Sequence, residues 1–326
     1  MKICLVIPCF KSREQIVSVL TCVPEIVQWI VLVDDGCPQN TGVYACERAG
    51  DPRLILVKHP ENRGVGAAVV TGFAKAIELD SDIIVRIDSD GQMDPALIPE
   101  FINPLVQGVA DFSKGNRFWE PETVLGMPWV RIVGNGVLSL FAKLSTGYWG
   151  LMDPNNGFFA IHTSVLNCLR LNKLEQRYFF ESDLLFRLNT IRAVGVDIPM
   201  ASVYGDEKSN LSPLRSVPEF FVKHTRNTVK RIVYSYFIRD FNAASLQLIL
   251  GTLFLLFGAV FGVTQWVSLS HAGALASSGT VMLAALPVLL GFQLLLAALQ
   301  YDISCEPRIP LHTIFSPSMA NGRKDS

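Results

Sequence analysis

Several carboxylates in this chain could do chemistry, and most of them follow a short apolar run. The sharpest set is Asp88-Ser89-Asp90, which closes the run Asp82–Ile87. Residues i and i+2 at a strand end project to one side, so both carboxylates can converge on one point. Two ionised carboxylates that close repel each other unless a cation lies between them. A hard divalent ion, Mg2+ or Mn2+, suits such oxygen ligands and shares its remaining positions with substrate phosphates. Taken alone, a D-x-D is often a solvated turn; its place after the fourth strand-like run favours the metal. Asp34-Asp35 closes the second run, where a carboxylate suits a ribose hydroxyl or a nucleobase, with helix capping or a turn as the plainer reading. Arg63 and Gly64 precede the helical segment Val65–Leu79, whose free N–H groups favour a phosphate. Glu181 and Asp183 precede Leu184–Leu188 and read as helix N-terminal acids.

The elements that must hold these residues are legible from the apolar pattern. Four runs, Ile3–Pro8, Trp29–Val33, Leu54–Val57 and Asp82–Ile87, are rich in Ile and Val and apolar nearly throughout, as strands buried on both faces must be. Helical segments between them predict an α/β fold with a mainly parallel sheet and right-handed crossovers. Ligands in such sheets bind beyond the carboxyl ends of the strands, where the polar residues stand. The first of these loops, Pro8-Cys9-Phe10-Lys11-Ser12, has no glycine, which excludes the dinucleotide fingerprint. No G-x-x-x-x-G-K-[ST] occurs either, so P-loop chemistry is excluded.

Half of the 326 residues are apolar and the mean hydropathy is positive. The excess is local, because no Asp, Glu, Lys or Arg lies between Asp240 and Asp302. Two apolar runs in that window, Ala243–Val267 and Gly279–Tyr301, each exceed the roughly 20 helical residues a bilayer requires. Ser268–Ser278 reads as a turn, so the pair predicts a transmembrane hairpin; a pair of core helices is the alternative, but neither run has a polar face. Before it, residues 211–242 form a basic juxtamembrane region, in which Glu219–Arg239 interleaves Phe and Val with Lys223, Arg226, Lys230 and Arg231. Such a helix lies in the interface among anionic headgroups. Basic residues flank both ends, so the positive-inside rule places the N-terminal domain and the 302–326 tail in the cytosol. Lys2 leads straight into the first strand with no secretory signal between them. The seven cysteines show no metal-type spacing and read as free thiols. A net charge of −1 excludes nucleic acid as an expected partner. Assembly into a homo-oligomer is left open.

The set Val6-Ile7-Pro8-Cys9-Phe10, Val33-Asp34-Asp35-Gly36, Asn62-Arg63-Gly64-Val65-Gly66 and Asp88-Ser89-Asp90-Gly91-Gln92 resembles the family 2 inverting glycosyltransferases. The likeness continues through Gly115-Asn116-Arg117-Phe118, Asp153-Pro154-Asn155-Asn156-Gly157-Phe158 and Phe180-Glu181-Ser182-Asp183. It covers roughly residues 2–210 and points to the membrane-anchored polyprenyl-phosphate (dolichol-phosphate) sugar synthases. The resemblance implies a GT-A-type catalytic domain over 1–210 and a UDP- or GDP-linked sugar donor. It also implies that Pro8, Phe10, Asp34 and Asp35 hold the nucleotide and that Asp88 and Asp90 handle the metal and diphosphate. By the same likeness Gln92 lies near a phosphate. Asp153, Asn156 and Gly157, with Arg117, then shape the sugar and acceptor pocket, and Asp183 stands where hydroxyl-acceptor members place their general base. The chain departs from the pattern in three places. The first loop reads Phe-Lys-Ser rather than Tyr-Asn-Glu, the Q-x-x-R-W signature of polysaccharide synthases is missing, and Tyr204–Ser209 matches the closing loop only loosely.

Two acceptors are compatible with these residues. A polyprenyl phosphate is already an anion and needs no base, and Lys223 and Arg226 could receive its phosphate. A saccharide or glycolipid hydroxyl has a high pKa and needs Asp183 to take its proton. A scaffold that binds a nucleotide-sugar without catalysis is the reading from another class.

Overall fold

The computed structural model describes residues 1–119, 129–200 and 213–314. The Tyr204–Ser209 stretch lies outside the described residues. The chain divides into two compact units, Met1–Val229 with Pro307–Ser326, and Lys230–Glu306.

The first unit is built on a seven-stranded sheet. The four runs read from sequence become β1 (Ile3–Cys9), β2 (Trp29–Asp34), β3 (Leu54–Lys58) and β4 (Ile83–Arg86). Three further strands, β5 (Phe112–Asn116), β6 (Phe159–His162) and β7 (Gly195–Pro199), give the order β3-β2-β1-β4-β6-β5-β7. Strands β1 to β4 pair in parallel, β6 runs against both β4 and β5, and β5 pairs in parallel with β7. The sheet is thus mainly parallel with one reversed strand, and strands β1, β2 and β4 deliver their C-terminal ends to the same edge.

Both faces are covered, which is why the strands are apolar without alternation. Ile3, Leu5, Ile7 and Cys9 of β1 join one core layer, packed with α1 (Ile16–Thr21), while Cys4 and Val6 join the other. Between β2 and β3 lies α2 (Thr41–Ala49). The second layer is filled by α3 (Val65–Glu78), which contributes Ala68, Val69, Phe73 and Ala76. Helix α4 (Ile98–Val106) closes the first layer through Phe101, whose ring stacks on Phe158 at 3.7 Å. Then follow α5 (Trp129–Thr146), the short α6 (Thr163–Leu166) and α7 (Phe180–Thr190), with Phe180, Leu184, Leu185 and Leu188 in the second layer.

The expected amphipathic helix forms as α8 (Pro213–Val233) and continues as a wider π turn over Tyr234–Arg239. In the second unit α9 (Ala243–Ala272) and α10 (Ser278–Ser304) have 30 and 27 residues. At 1.5 Å per residue each exceeds the ~30 Å hydrocarbon core. Only 11% of the most apolar stretch of each is buried, so they are not the core helices of a soluble domain. They approach closely at small residues: a Cβ on Gly291 would lie 2.6 Å from the Leu255 backbone nitrogen. One ion pair is buried in this unit. Arg231 grips Asp302 with both terminal nitrogens, at 2.6 and 2.9 Å, and the Tyr236 hydroxyl donates to the same carboxylate.

The start of the C-terminal tail is pinned to the first unit. The fully buried Asp111 carboxylate accepts from the backbone of Val194, Leu311 and His312 at 2.7 to 2.9 Å and meets His312 Nδ1 at 2.8 Å. The His312 ring stacks on His162 at 3.9 Å. Burial, and then the neighbouring His312, push the His162 imidazole below its usual range.

Candidate active site

A cleft of about 780 Å³ opens at the C-terminal ends of β1, β2 and β4, within the range of small-molecule sites. Pro8, Cys9, Phe10, Lys11 and Ser12 line it from β1 and its loop, Asp35 from β2, and Arg86, Asp88, Ser89 and Asp90 from β4. Leu138 of α5, Tyr178 and Phe220 of α8 add an apolar wall.

Two adjacent carboxylates take opposite courses. Asp34 does not face the cleft: it is fully buried and accepts from the backbone N–H of Cys37 at 2.8 Å and of Gly42 at 2.9 Å. This corrects its expected role at the nucleotide. Its contribution is to hold the turn from which Cys37 Sγ accepts the Lys11 N–H. Lys11 thereby keeps a φ of 57°, rare for a residue with a Cβ. Asp35 does face the cleft. Its oxygens accept from the backbone of Arg63 at 2.9 Å and Gly64 at 2.8 Å, and one meets His59 Nδ1 at 2.7 Å. Arg63 is therefore held by its backbone, and its exposed side chain is not part of the lining. Arg177 lines the cleft at that end instead.

The base of the cleft is crowded with charge. Arg86 is 1% exposed, and its Nη2 donates to Asp88 Oδ1 at 2.6 Å while Nη1 lies 3.2 Å from Glu181 Oε1. Among the described residues, neither Nη1 nor Nε has a hydrogen-bonding acceptor. The buried Lys114 ammonium donates to the Asn156 carbonyl, and burial lowers its pKa to about 8. Burial likewise raises the Glu181 carboxyl, and the charges of Arg86 and Lys114 pull it back. Gly157 is what lets the guanidinium lie there, because a Cβ would stand 2.0 Å from Arg86 Nη1 and 2.4 Å from Asp88 Oδ2.

Asp183, which a hydroxyl acceptor would need as its base, is turned away from the cleft. It is 4% exposed and outside the lining, and accepts from Arg187 Nε at 2.9 Å, the Glu175 N–H at 3.2 Å and Asn227 at 3.4 Å. The N-terminal turn of α7 turns Glu181 to the cleft and Asp183 away from it. Asp153, Arg117, Asn156 and Gly157 frame the cleft rather than line it. Arg117 Nε and Nη2 bind Asp153 at 2.7 and 3.1 Å, and the Asn156 side-chain oxygen accepts the Phe158 N–H at 2.9 Å. Gln92 is half-buried outside the lining, and its backbone N–H donates to Asp90 Oδ1 at 3.0 Å. Lys223 is shared between Glu175 and Glu219, both at 2.9 Å, so it is not the open cation expected. Arg226 is exposed on α8.

Residues that sequence reasoning missed are Arg86, Lys114, Asn155, Leu138, Tyr178 and Phe220. Arg86 had a signal: a lone charge in an apolar strand, two residues before Asp88 and so on the same face. Among the described residues no group of three or more His, Cys, Asp or Glu side chains is placed to hold a metal. Asp88 and Asp90 fit Mg2+ or Mn2+ as a two-carboxylate, hard-oxygen set that a diphosphate would complete.

Cleft and sheet together define a glycosyltransferase of the GT-A fold. Residues 4–170 match glycosyl transferase family 2, half of the chain, and the protein belongs to that family. A UDP-N-acetylglucosamine–dolichyl-phosphate N-acetylglucosaminyltransferase from Methanococcus voltae is 30% identical over 214 residues, 61% of this chain and 85% of the relative. A polyprenol monophosphomannose synthase from Mycolicibacterium smegmatis is 29% identical over 203 residues, 60% of this chain and 75% of the relative. Among solved structures, the glucosyl-3-phosphoglycerate synthase of Mycobacterium tuberculosis in complex with Mn2+, UDP and phosphoglyceric acid shares the fold. Its TM-score is 0.53 at 19% identity, covering 71% of this chain and 78% of that one.

Proposed function

We propose that this glycosyltransferase moves a sugar from a nucleoside diphosphate donor to the phosphate of a polyprenyl phosphate, with a divalent metal, at the cytosolic face of a membrane. The observation that carries the reading is the cleft's mixed lining, which joins the Asp88 and Asp90 carboxylates to the apolar surface of Leu138, Tyr178 and Phe220. The activities of the two relatives, on dolichyl phosphate and on polyprenol, support the same acceptor class. The two long apolar helices support a membrane setting, and the basic residues flanking them support the cytosolic side.

In this reading Pro8, Phe10 and Asp35 flank the nucleoside, and Asp88 and Asp90 hold Mg2+ or Mn2+. The metal, when bound, stabilises charge on the departing diphosphate. The phosphate acceptor attacks the far side of the anomeric carbon and inverts it. Being an anion already, it requires no proton abstraction. The engagement of Asp183 with Arg187 and the Glu175 backbone fits that mechanism better than a hydroxyl acceptor. Arg226, exposed on the helix that leads to the spans, is the cation on α8 suited to a lipid phosphate. The catalytic domain is taken as 1–210, the juxtamembrane region as 211–242 and the hairpin as 243–301.

The test is sugar transfer by membranes containing the protein, with labelled UDP- and GDP-sugars and either Mn2+ or EDTA. Metal-dependent label in the organic phase, released by mild acid, is the expected result. Label on a water-soluble saccharide would overturn the acceptor.

A further inference from the structure

We infer that Arg86 is a built-in counter-ion that occupies Asp88 until a nucleoside diphosphate arrives, so that the metal binds with the donor and not before it. This rests on the reading of Asp88 and Asp90 as the metal's carboxylates. Arg86 is a positioning residue in this scheme, acting through Asp88.

The argument is electrostatic. The guanidinium is 1% exposed and lies between two carboxylates, 2.6 Å from Asp88 and 3.2 Å from Glu181. It is held there by charge more than by hydrogen bonding, since Nη1 and Nε lack acceptors. A divalent ion approaching alone meets an Asp88 whose charge is already neutralised and must displace a buried cation to use it. Metal affinity follows the number of anionic oxygens on offer, and a diphosphate supplies the missing ones. When Asp88 turns to the metal, Arg86 needs another anion, because an unpaired buried charge is costly. Glu181 is already within 3.2 Å, with Nη1 unsatisfied and facing it. The contact that is poor in the resting state is the one that completes the exchange.

Arg86 and Glu181 therefore carry predictions of opposite sign. Mn2+ binding is measured by electron paramagnetic resonance on the full-length protein in nanodiscs, with Mn2+ alone and with UDP or GDP. The wild type is expected to bind Mn2+ about tenfold or more tightly with a nucleotide than without. Arg86→Met should tighten Mn2+ alone by about tenfold, Arg86→Lys should stay near wild type, and Glu181→Gln should weaken Mn2+ in the presence of nucleotide by a similar factor. Nucleotide binding in EDTA reports whether each variant is folded. Should Arg86→Met fail that check, Arg86→Met/Glu181→Gln removes both charges and carries the test of tighter Mn2+ binding. Folded Arg86→Met, or the double variant, with unchanged affinity for Mn2+ alone overturns the proposal, as does tight nucleotide-independent Mn2+ binding by the wild type. No Mn2+ binding by the wild type with either nucleotide overturns it together with the metal reading.

Discussion

Two buried arginines in this molecule live in opposite circumstances. Arg231, in the second unit, meets one carboxylate with both terminal nitrogens, and Tyr236 adds a third donor to Asp302. Arg86, at the base of the cleft, lies between two carboxylates and leaves two of its nitrogens without acceptors. Desolvating a charge is costly in both places. Only the first offsets that cost with a closed, bidentate geometry. A complete match has nothing left to exchange and serves the fold. An incomplete one can change partners and serves chemistry.

The contrast can be broken in several ways. Arg231→Met should give the largest effect, a loss of about 3–5 kcal/mol, because Asp302 is left buried and unpaired. Thermal unfolding in detergent measures it, and adding Asp302→Leu should restore much of the loss. Recovery would sharpen the view of this pair as structural. Next, Asp90→Asn should lower sugar transfer by about a hundredfold or more without moving the unfolding temperature by more than a few degrees.

His224 tests a third circumstance, a buried polar atom with no charge to balance. Its Nδ1 meets Ser145 Oγ at 2.7 Å and its Nε2 has no hydrogen-bond partner among the described residues, and burial pushes its pKa from 6.5 down to about 4. The folded protein thus prefers the neutral ring. The stability so gained is fully present above pH 6.5 and is lost as pH falls toward 4, up to about 3 kcal/mol. Unfolding temperatures at pH 7.5 and 4.5, compared between wild type and His224→Phe, should show a smaller drop in the variant. Smallest is the effect of Asp183→Asn on transfer: the carboxylate faces Arg187, so activity per folded molecule should change by less than about threefold. A larger fall, with a pH profile that flattens, would return Asp183 to the role of base.

What could be read in advance follows from range. Strands β1 to β4, α3 and the two apolar helices show in local patterning, since each is fixed by burial of its own residues. Asp88 and Asp90 were legible as cleft residues because they follow the fourth strand-like run, at the edge where such sheets bind ligands. Asp34 and Asp35 were not separable, although neighbours at a strand end must face opposite ways. Glu181 and Asp183 share a helix N-terminus, and sequence could not tell which of them faces the cleft, because that depends on Arg86 and Arg187. The Asp111–His312 clasp and the Arg231–Asp302 pair join residues 201 and 71 apart, and no local pattern announces either.

The missing Cβ at Gly157 has a consequence for how this sequence can vary. The guanidinium of Arg86 fills the space that any other residue at 157 would enter. Positions 86 and 157, 71 apart in the chain, therefore cannot drift independently. While arginine stands at 86 in this pose, any side chain at 157 must displace its guanidinium and the Asp88 carboxylate beside it; a shorter residue at 86 relieves the first of these contacts and forfeits the cation in one step. Among homologues the two positions should vary jointly, with the pairing of arginine and a larger residue at 157 absent.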